Sequence, residues 1–293
     1  MTERVGFIGL GIMGRPMAGN LLKAGFPLAV HSRSPDPVDA LVAEGAARVE
    51  SPGEIAEVSD VVITMLPDTP DVEAVLGDVV GTIAEGSLVI DMSTIDPAAT
   101  RDLASTFDTR GVPMLDAPVS GGERGAIDAT LSIMVGGERA AFERALPIFD
   151  ALGATIVHVG ASGAGQVAKA CNQLVVAATI EAVAEALALA ERSGVDPAKV
   201  REALMGGFAG SKILEVHGRR MLDGTFEPGF RARLHRKDAR IVLDAARSAG
   251  AQVPSFEVVA RQLDELVERG DGELDHAALF TLLEGDPEAG PQI

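Results

Sequence analysis

The first 25 residues carry the pattern that most constrains this chain. A short apolar run over residues 4–9 ends in Gly9-Leu10-Gly11-Ile12-Met13-Gly14. A helical periodicity follows over residues 12–24, and Gly25 stops it. An apolar run of that length, closed by glycine, reads as a buried strand, and a glycine just past the last periodic residue reads as a helix stop. G-x-G-x-x-G alone is a weak signal. Between a strand and a helix it gains meaning: Gly9 permits a tight turn, Gly11 lets the backbone approach a pyrophosphate, and Gly14 lets strand and helix pack closely. The helix start then offers free N–H groups and a positive dipole end to an anion. The competing reading is a glycine-rich turn that holds nothing.

The same alternation continues through the first half. Strands are expected at residues 28–31, 47–50, 61–66, 87–92, 114–115, 131–135 and 155–159, with helices at 37–44, 97–107 and 139–152. Strands alternating with helices predict an α/β fold with a Rossmann-type, doubly wound parallel sheet. After Gly160-Ala161-Ser162-Gly163 only helical patterns remain. The first, over residues 165–193, is apolar on most of its circumference and so needs cover on several sides. Further helices are expected at 197–205, 212–222, 233–249, 254–269 and 276–283. The expected domains are a dinucleotide-binding domain, 1–162, and an all-α domain, 163–293. Residues 286–293 lack periodicity and read as a frayed tail.

Composition removes several chemistries. The 293 residues include one Cys, no Tyr and no Trp, with 43 acidic and 25 basic side chains for a net charge of -18. No tyrosine can serve as a proton donor. A single cysteine excludes an intrachain disulfide and a multi-thiolate zinc site. The acidic excess disfavours nucleic acid. No leader pattern precedes the first strand, and the apolar stretch at 165–190 carries Lys169, Glu181 and Glu185, which a bilayer would penalise. The expectation is a soluble, cytoplasmic protein with neither nucleic acid nor membrane as partner. The long apolar helix favours a homodimer or homotetramer.

The second strand ends in Val30-His31-Ser32-Arg33-Ser34, with no acid at residues 31–34. NAD sites usually place a carboxylate here for the ribose 2′-hydroxyl. An arginine between two hydroxyls suits a 2′-phosphate instead. NADP(H) is therefore the expected preference, with NAD(H) possible; a solvated arginine with dual cofactor use is the alternative.

Three later segments place polar residues where a bare scaffold needs none: Asp91-Met92-Ser93-Thr94, Asp116 to Ser120-Gly121-Gly122, and Gly165 to Asn172. Ligands sit at the carboxyl ends of strands in such folds. Ser120-Gly121-Gly122 can offer backbone N–H groups to a carboxylate. Lys169 and Asn172, three apart, share a helix face. Burial lowers a lysine's pKa and suits it to protonate a carbonyl oxygen; a lysine snorkelling to the surface fits the pattern equally.

Five histidines, His31, His158, His217, His235 and His276, show no metal-ligand spacing, and no metal is expected. His217 reads as a helix-surface residue and Cys171 as a small buried one. Arg231, Arg233, Arg236, Lys237 and Arg240 read as a basic stretch, which apart from Lys237 forms surface ion pairs.

These blocks resemble the β-hydroxyacid dehydrogenase family over nearly the whole chain. Phe7-Ile8-Gly9-Leu10-Gly11-Ile12-Met13-Gly14-Arg15-Pro16-Met17, Met65-Leu66-Pro67, Ser93-Thr94-Ile95-Asp96-Pro97, Asp116 through Gly122, Gly165 through Asn172 and Lys237-Asp238 match it in order. The resemblance implies a nicotinamide cofactor, a small carboxylate-bearing aldehyde or hydroxy acid as substrate, and Lys169 as the catalytic lysine. It places Ser93, Ser120, Gly121, Gly122 and Asn172 at the substrate. Met65, Leu66, Pro67, Thr94, Phe230 and Lys237 join Gly9, Leu10, Gly11, Ile12, Met13, Gly14, Ser32, Arg33 and Ser34 at the cofactor.

The branch of tartronate semialdehyde reductases is the closer likeness, through residues 114–123, Gly206-Gly207-Phe208-Ala209-Gly210-Ser211, Gly229-Phe230-Arg231 and Asp275-His276-Ala277-Ala278-Leu279. Ser32 departs from the acidic or amide residue that relatives often carry. Branches acting on 3-hydroxyisobutyrate, glyoxylate or succinic semialdehyde are the alternatives. A catalytically silent NADP-binding module would lack Lys169.

Overall fold

The structure is a computed structural model that describes residues 2–283; the tail at 286–293 lies outside the described residues. The chain forms two compact units, Met1–Lys169 and Ala170–Ile293.

The first unit is built on one sheet. Its strands are β1 (Val5–Ile8), β2 (Leu28–His31), β3 (Ala47–Arg48), β4 (Val61–Thr64), β5 (Leu88–Asp91), β6 (Met114–Asp116), β7 (Val119–Ser120), β8 (Leu131–Gly136) and β9 (Gly153–Gly160). The order is β3-β2-β1-β4-β5-β6-β8-β7, with β9 pairing β8. β1 to β6 pair in parallel, in the doubly wound order expected of a dinucleotide fold. The far edge adds an antiparallel strand to this parallel, doubly wound sheet. β8 runs antiparallel to β6 and β7, because β7 continues the direction of β6 and the chain reverses only afterwards, across residues 121–130.

Every residue of β1, β4 and β5 is buried. Successive side chains feed opposite layers, as a strand's two-residue period requires. Val61 and Ile63 join the cluster that holds Met17 and Leu21, while Val62 joins Leu76 and Val79. The layers are helices α1 (Gly14–Lys23), α2 (Pro35–Ala43), α3 (Pro52–Val58), α4 (Thr69–Thr82), α5 (Pro97–Asp108), α6 (Gly122–Ile127) and α7 (Arg139–Asp150). Periodicity did not reveal α3, α4 or α6. Two of them carry legible starts: the Ser51 hydroxyl accepts the Glu54 N–H and the Asp68 carboxylate caps α4, each with proline in the first turn.

Helix α8 (Ala164–Arg192) begins in the first unit and runs through the second. It is long and apolar enough to cross a membrane, and 50% of its most apolar stretch is buried within the protein. The second unit adds α9 (Pro197–Met205), α10 (Lys212–Asp223), α11 (Ala232–Ala249), α12 (Pro254–Glu268) and two short 3-10 segments, Asp271–Glu273 and His276–Leu282. The last of these is 3-10 rather than the α-helix expected at 276–283. Its core joins Ile180, Ala184 and Leu187 of α8 to Leu214, Val242, Leu263 and Leu279.

Candidate active site

The turn after β1 has the shape that its glycines require. Gly9 adopts φ +99°, open to glycine at little cost. A methyl group at Gly14 would lie 1.9 Å from the Gly9 carbonyl oxygen, so the helix start and the turn touch backbone to backbone. At Gly11 nothing lies within 4 Å of the missing side chain. The loop is thus closed beneath and open above, which fits a pyrophosphate approaching the start of α1. Leu10 is buried, Ile12 exposed and Met13 half-buried. The turn is braced by Gly9 N–H to His31 O at 3.0 Å and Leu10 N–H to the Ser32 hydroxyl at 3.4 Å. Ser32 therefore sits directly beside the glycine turn. Arg33 and Ser34 are exposed beyond it, and the Arg33 guanidinium lies 3.7 Å from Asp71.

The ends of β4, β5 and β6 meet the first turn of α8. The Thr64 hydroxyl donates to Asp91 Oδ1 at 2.8 Å, and Ser93 N–H donates to the same oxygen at 3.1 Å. The buried Ser93 hydroxyl accepts the Leu66 N–H at 2.9 Å. Met65, in turn, donates its N–H to Ile8 O at 2.9 Å. Met65 and Leu66 are half-buried and Pro67 exposed. Gln166, fully buried on α8, donates to the Ser93 carbonyl at 2.9 Å and accepts the Ile95 N–H at 3.2 Å. Thr94 lies between those two contacts. Asp116, at the end of β6, accepts the N–H groups of Gly163 at 2.8 Å and Gln166 at 2.9 Å. Burial pushes the Asp116 carboxyl up to about 6, against the pull of those two hydrogen bonds. Gly165 is needed here, since a methyl group would lie 2.4 Å from Met134 O and 2.6 Å from Asp116 O.

This clamp sets the position of Lys169, one turn further along α8 and buried at 7% exposure. The position favours the buried lysine over the snorkelling one. Asn172 follows on the same face, and its amide donates to Gln173 Oε1 at 2.8 Å. Gln173 donates to Asp238 of α11, which pairs with Lys237 at 2.7 Å. Phe230, before α11, is half-buried with its ring 5.6 Å from that of His235. Ser120 is half-buried, and Gly121 and Gly122 are exposed with φ of +138° and +62°.

Gln166 and Asp116 were not singled out by the sequence reading, although both stand inside the blocks that carried it. Two minor expectations are corrected. Cys171 is exposed, not buried. His217 is drawn into a cluster instead of standing on the surface, because α10 packs against the last 3-10 segment. The basic stretch does form ion pairs, Arg236 with Asp264 at 2.7 Å and Arg231 with Glu273 at 3.1 Å among them.

Residues 4–160 match the family model for the NAD binding domain of 6-phosphogluconate dehydrogenase. Residues 163–283 match that for the NAD-binding of NADP-dependent 3-hydroxyisobutyrate dehydrogenase. The chain is 48% identical to the 2-hydroxy-3-oxopropionate reductase of Escherichia coli (strain K12), over 96% of this chain and 97% of that one. The chain belongs to the β-hydroxyacid dehydrogenase family. It is 38% identical to the NAD-dependent L-serine dehydrogenase of Pseudomonas aeruginosa, over 98% of this chain and 99% of that one. Among solved structures, Mycobacterium tuberculosis 3-hydroxyisobutyrate dehydrogenase with L-serine superposes with a TM-score of 0.90 at 34% identity, covering 97% of this chain and 100% of that one. Members of this family are NAD(P)-dependent oxidoreductases, and so is this protein.

Proposed function

We propose that the protein is an NADPH-dependent reductase of a small semialdehyde bearing a carboxylate, converting tartronate semialdehyde to glycerate. The observation that carries this is the 48% identity, across nearly both full lengths, to a 2-hydroxy-3-oxopropionate reductase. The clamped, buried Lys169 supports it as the proton donor. When bound, the reduced nicotinamide supplies the hydride. Lys169 delivers a proton from Nζ to the aldehyde oxygen, and takes it back in the reverse direction. Ser120, the backbone of Gly121 and Gly122, and the Asn172 amide hold the substrate carboxylate. Arg33, flanked by Ser32 and Ser34, takes the 2′-phosphate.

The test is NADPH oxidation over a panel of tartronate semialdehyde, methylmalonate semialdehyde, glyoxylate and succinic semialdehyde. The first should give the highest kcat/KM; a clear preference for another overturns the substrate. Lys169→Ala should lower kcat by about 10²- to 10⁴-fold, the usual contribution of a positioned acid. NADPH binding should persist, and the chain's lack of Trp and Tyr leaves cofactor fluorescence free of protein background. A near-normal rate in that variant removes Lys169 from the chemistry. The same reading holds the protein to be a cytoplasmic homo-oligomer. Exposed apolar side chains on α8, Val175 and Leu189, together with Phe208 after α9, support the assembly. A light-scattering mass of one chain contradicts it.

A further inference from the structure

In the second unit, two imidazoles face one buried carboxylate and a third packs behind them. Asp275 is fully buried at the start of the last 3-10 segment. Its two oxygens have different surroundings. Oδ2 accepts the N–H groups of Gly229 at 2.9 Å and Phe230 at 3.1 Å, and faces the Arg220 guanidinium at 2.8 Å. Oδ1 accepts the Ala277 N–H at 3.1 Å and otherwise faces histidine. His217 Nδ1 of α10 lies 3.5 Å from Oδ1, and His276 Nε2 lies 4.0 Å from it. The two rings approach each other with Nε2 to Nε2 at 3.4 Å. Behind them, His276 Nδ1 meets His235 Nδ1 of α11 at 2.8 Å.

We infer that His217, Asp275 and His276 form a binding site for a zinc-class divalent ion. One ligand atom from each residue lies within 4.8 Å of the other two. A tetrahedral zinc with nitrogen ligands at about 2.0–2.1 Å sets those nitrogens about 3.3 Å apart, close to the 3.4 Å between the two Nε2 atoms. The donor set, two imidazoles and a carboxylate, suits zinc and its neighbours over calcium or magnesium. Three protein ligands leave a fourth position for water, and His217, at 18% side-chain exposure, marks the route in.

The contact of His276 with His235 supplies what ligating histidines generally have, an outer partner for the second ring nitrogen. If Nδ1–H of His276 donates to His235, its Nε2 lone pair points to the ion. The Arg220 guanidinium opposes the charge of an ion, and it sits on the oxygen turned away from the histidines. The ion would tie α10 and the last 3-10 segment together, with α11 held behind them. None of this depends on which substrate the enzyme reduces.

The experiment uses the untagged full-length protein, stripped with EDTA and then dialysed against Zn2+ or Co2+. One zinc per chain by elemental analysis, and the visible absorption of tetrahedral cobalt, are expected. Zn2+ should raise Tm. His217→Asn should abolish retention while keeping the wild-type far-UV circular dichroism, since His217 is the least buried ligand. His276→Asn should act alike if it folds. Arg220→Gln should tighten binding by removing the competing charge. No retained metal in the wild type, or equal retention by His217→Asn, overturns the assignment and leaves a proton-sharing histidine cluster.

Discussion

Asp116 accepts the backbone N–H of Gln166 at 2.9 Å, and through that contact the end of β6 is fastened to the first turn of the helix that carries Lys169. The carboxylate also takes the Gly163 N–H, so two of the orphan donors at the start of α8 are satisfied by one side chain. In Asp116→Asn only one oxygen remains to accept. The lost bond costs about 1–3 kcal/mol. Removing a buried charge offsets it, because folding already raises the Asp116 pKa to about 6. Stability at pH 7 should therefore change by less than about 2 kcal/mol. A shift of the α8 start should nonetheless lower kcat by about 10- to 100-fold, as a misplaced catalytic group does. Urea unfolding and steady-state kinetics on the same preparation check the split. A large loss of stability with normal kcat would contradict it.

Gln166 ties the other side of the clamp. Its amide spans the Ser93 carbonyl and the Ile95 N–H, and all three groups are buried. Gln166→Leu fills the same space but leaves both backbone groups unsatisfied, at about 1–3 kcal/mol each. The variant should lose about 2–5 kcal/mol of stability and raise KM for the aldehyde, since Ser93 and Thr94 lose their anchor. Gln166→Glu, which keeps one acceptor oxygen, should recover part of the loss near its own pKa and below. Denaturant midpoints for the pair test this.

These two residues also show where sequence reasoning stopped. β1, β4 and β5 were legible because each is an unbroken apolar run, as a strand buried on both faces must be. The glycine turn was legible because its chemistry is local. Gln166 was not, since its partners lie 71 and 73 residues away and a glutamine beside a lysine carries no mark of either. The reversal at the sheet edge follows a two-residue strand, Val119–Ser120, and passes through a six-residue helix, Gly122–Ile127, both too short to show a period. Cys171 was placed on the wrong side because α8 is apolar almost all round, so periodicity does not define its solvent face. The histidine cluster brings together residues 217, 235 and 276 by tertiary packing alone.

Arg33 offers a separate test, because its side chain is largely exposed and its loss should not disturb folding. It lies 3.7 Å from Asp71, a weak surface pairing that a phosphate dianion can replace. A charge-assisted hydrogen bond to phosphate is worth about 1.5–3 kcal/mol. Arg33→Ala should therefore lower kcat/KM for NADPH by about 10- to 100-fold and leave that for NADH within about twofold. Asp71→Asn should act in the opposite direction, freeing the guanidinium. An unchanged NADPH to NADH ratio in Arg33→Ala would remove the 2′-phosphate from this site.

Glu181 gives the pH dependence a sign. It is buried in the middle of α8, and burial first, then the neighbouring Glu185, pushes its carboxyl up to about 7 from an ordinary 4.5. A raised folded pKa means that the folded chain holds this proton after the unfolded chain has released it. Stability therefore falls as pH rises from about 4.5 to about 7, by the linkage between proton uptake and folding. The full penalty, about 1–3 kcal/mol, is present above pH 7 and absent below pH 4.5. Glu181→Gln removes the charge and keeps the shape. It should stabilise the protein by that amount at pH 8 and by almost nothing at pH 4. Asp116 works in the same direction between 3.8 and about 6, so the variant should retain a shallower slope there. Urea unfolding at pH 5, 6.5 and 8 separates the two acids. If wild type and Glu181→Gln run parallel across that range, Glu181 is ionised at no cost and its environment is more polar than its burial indicates.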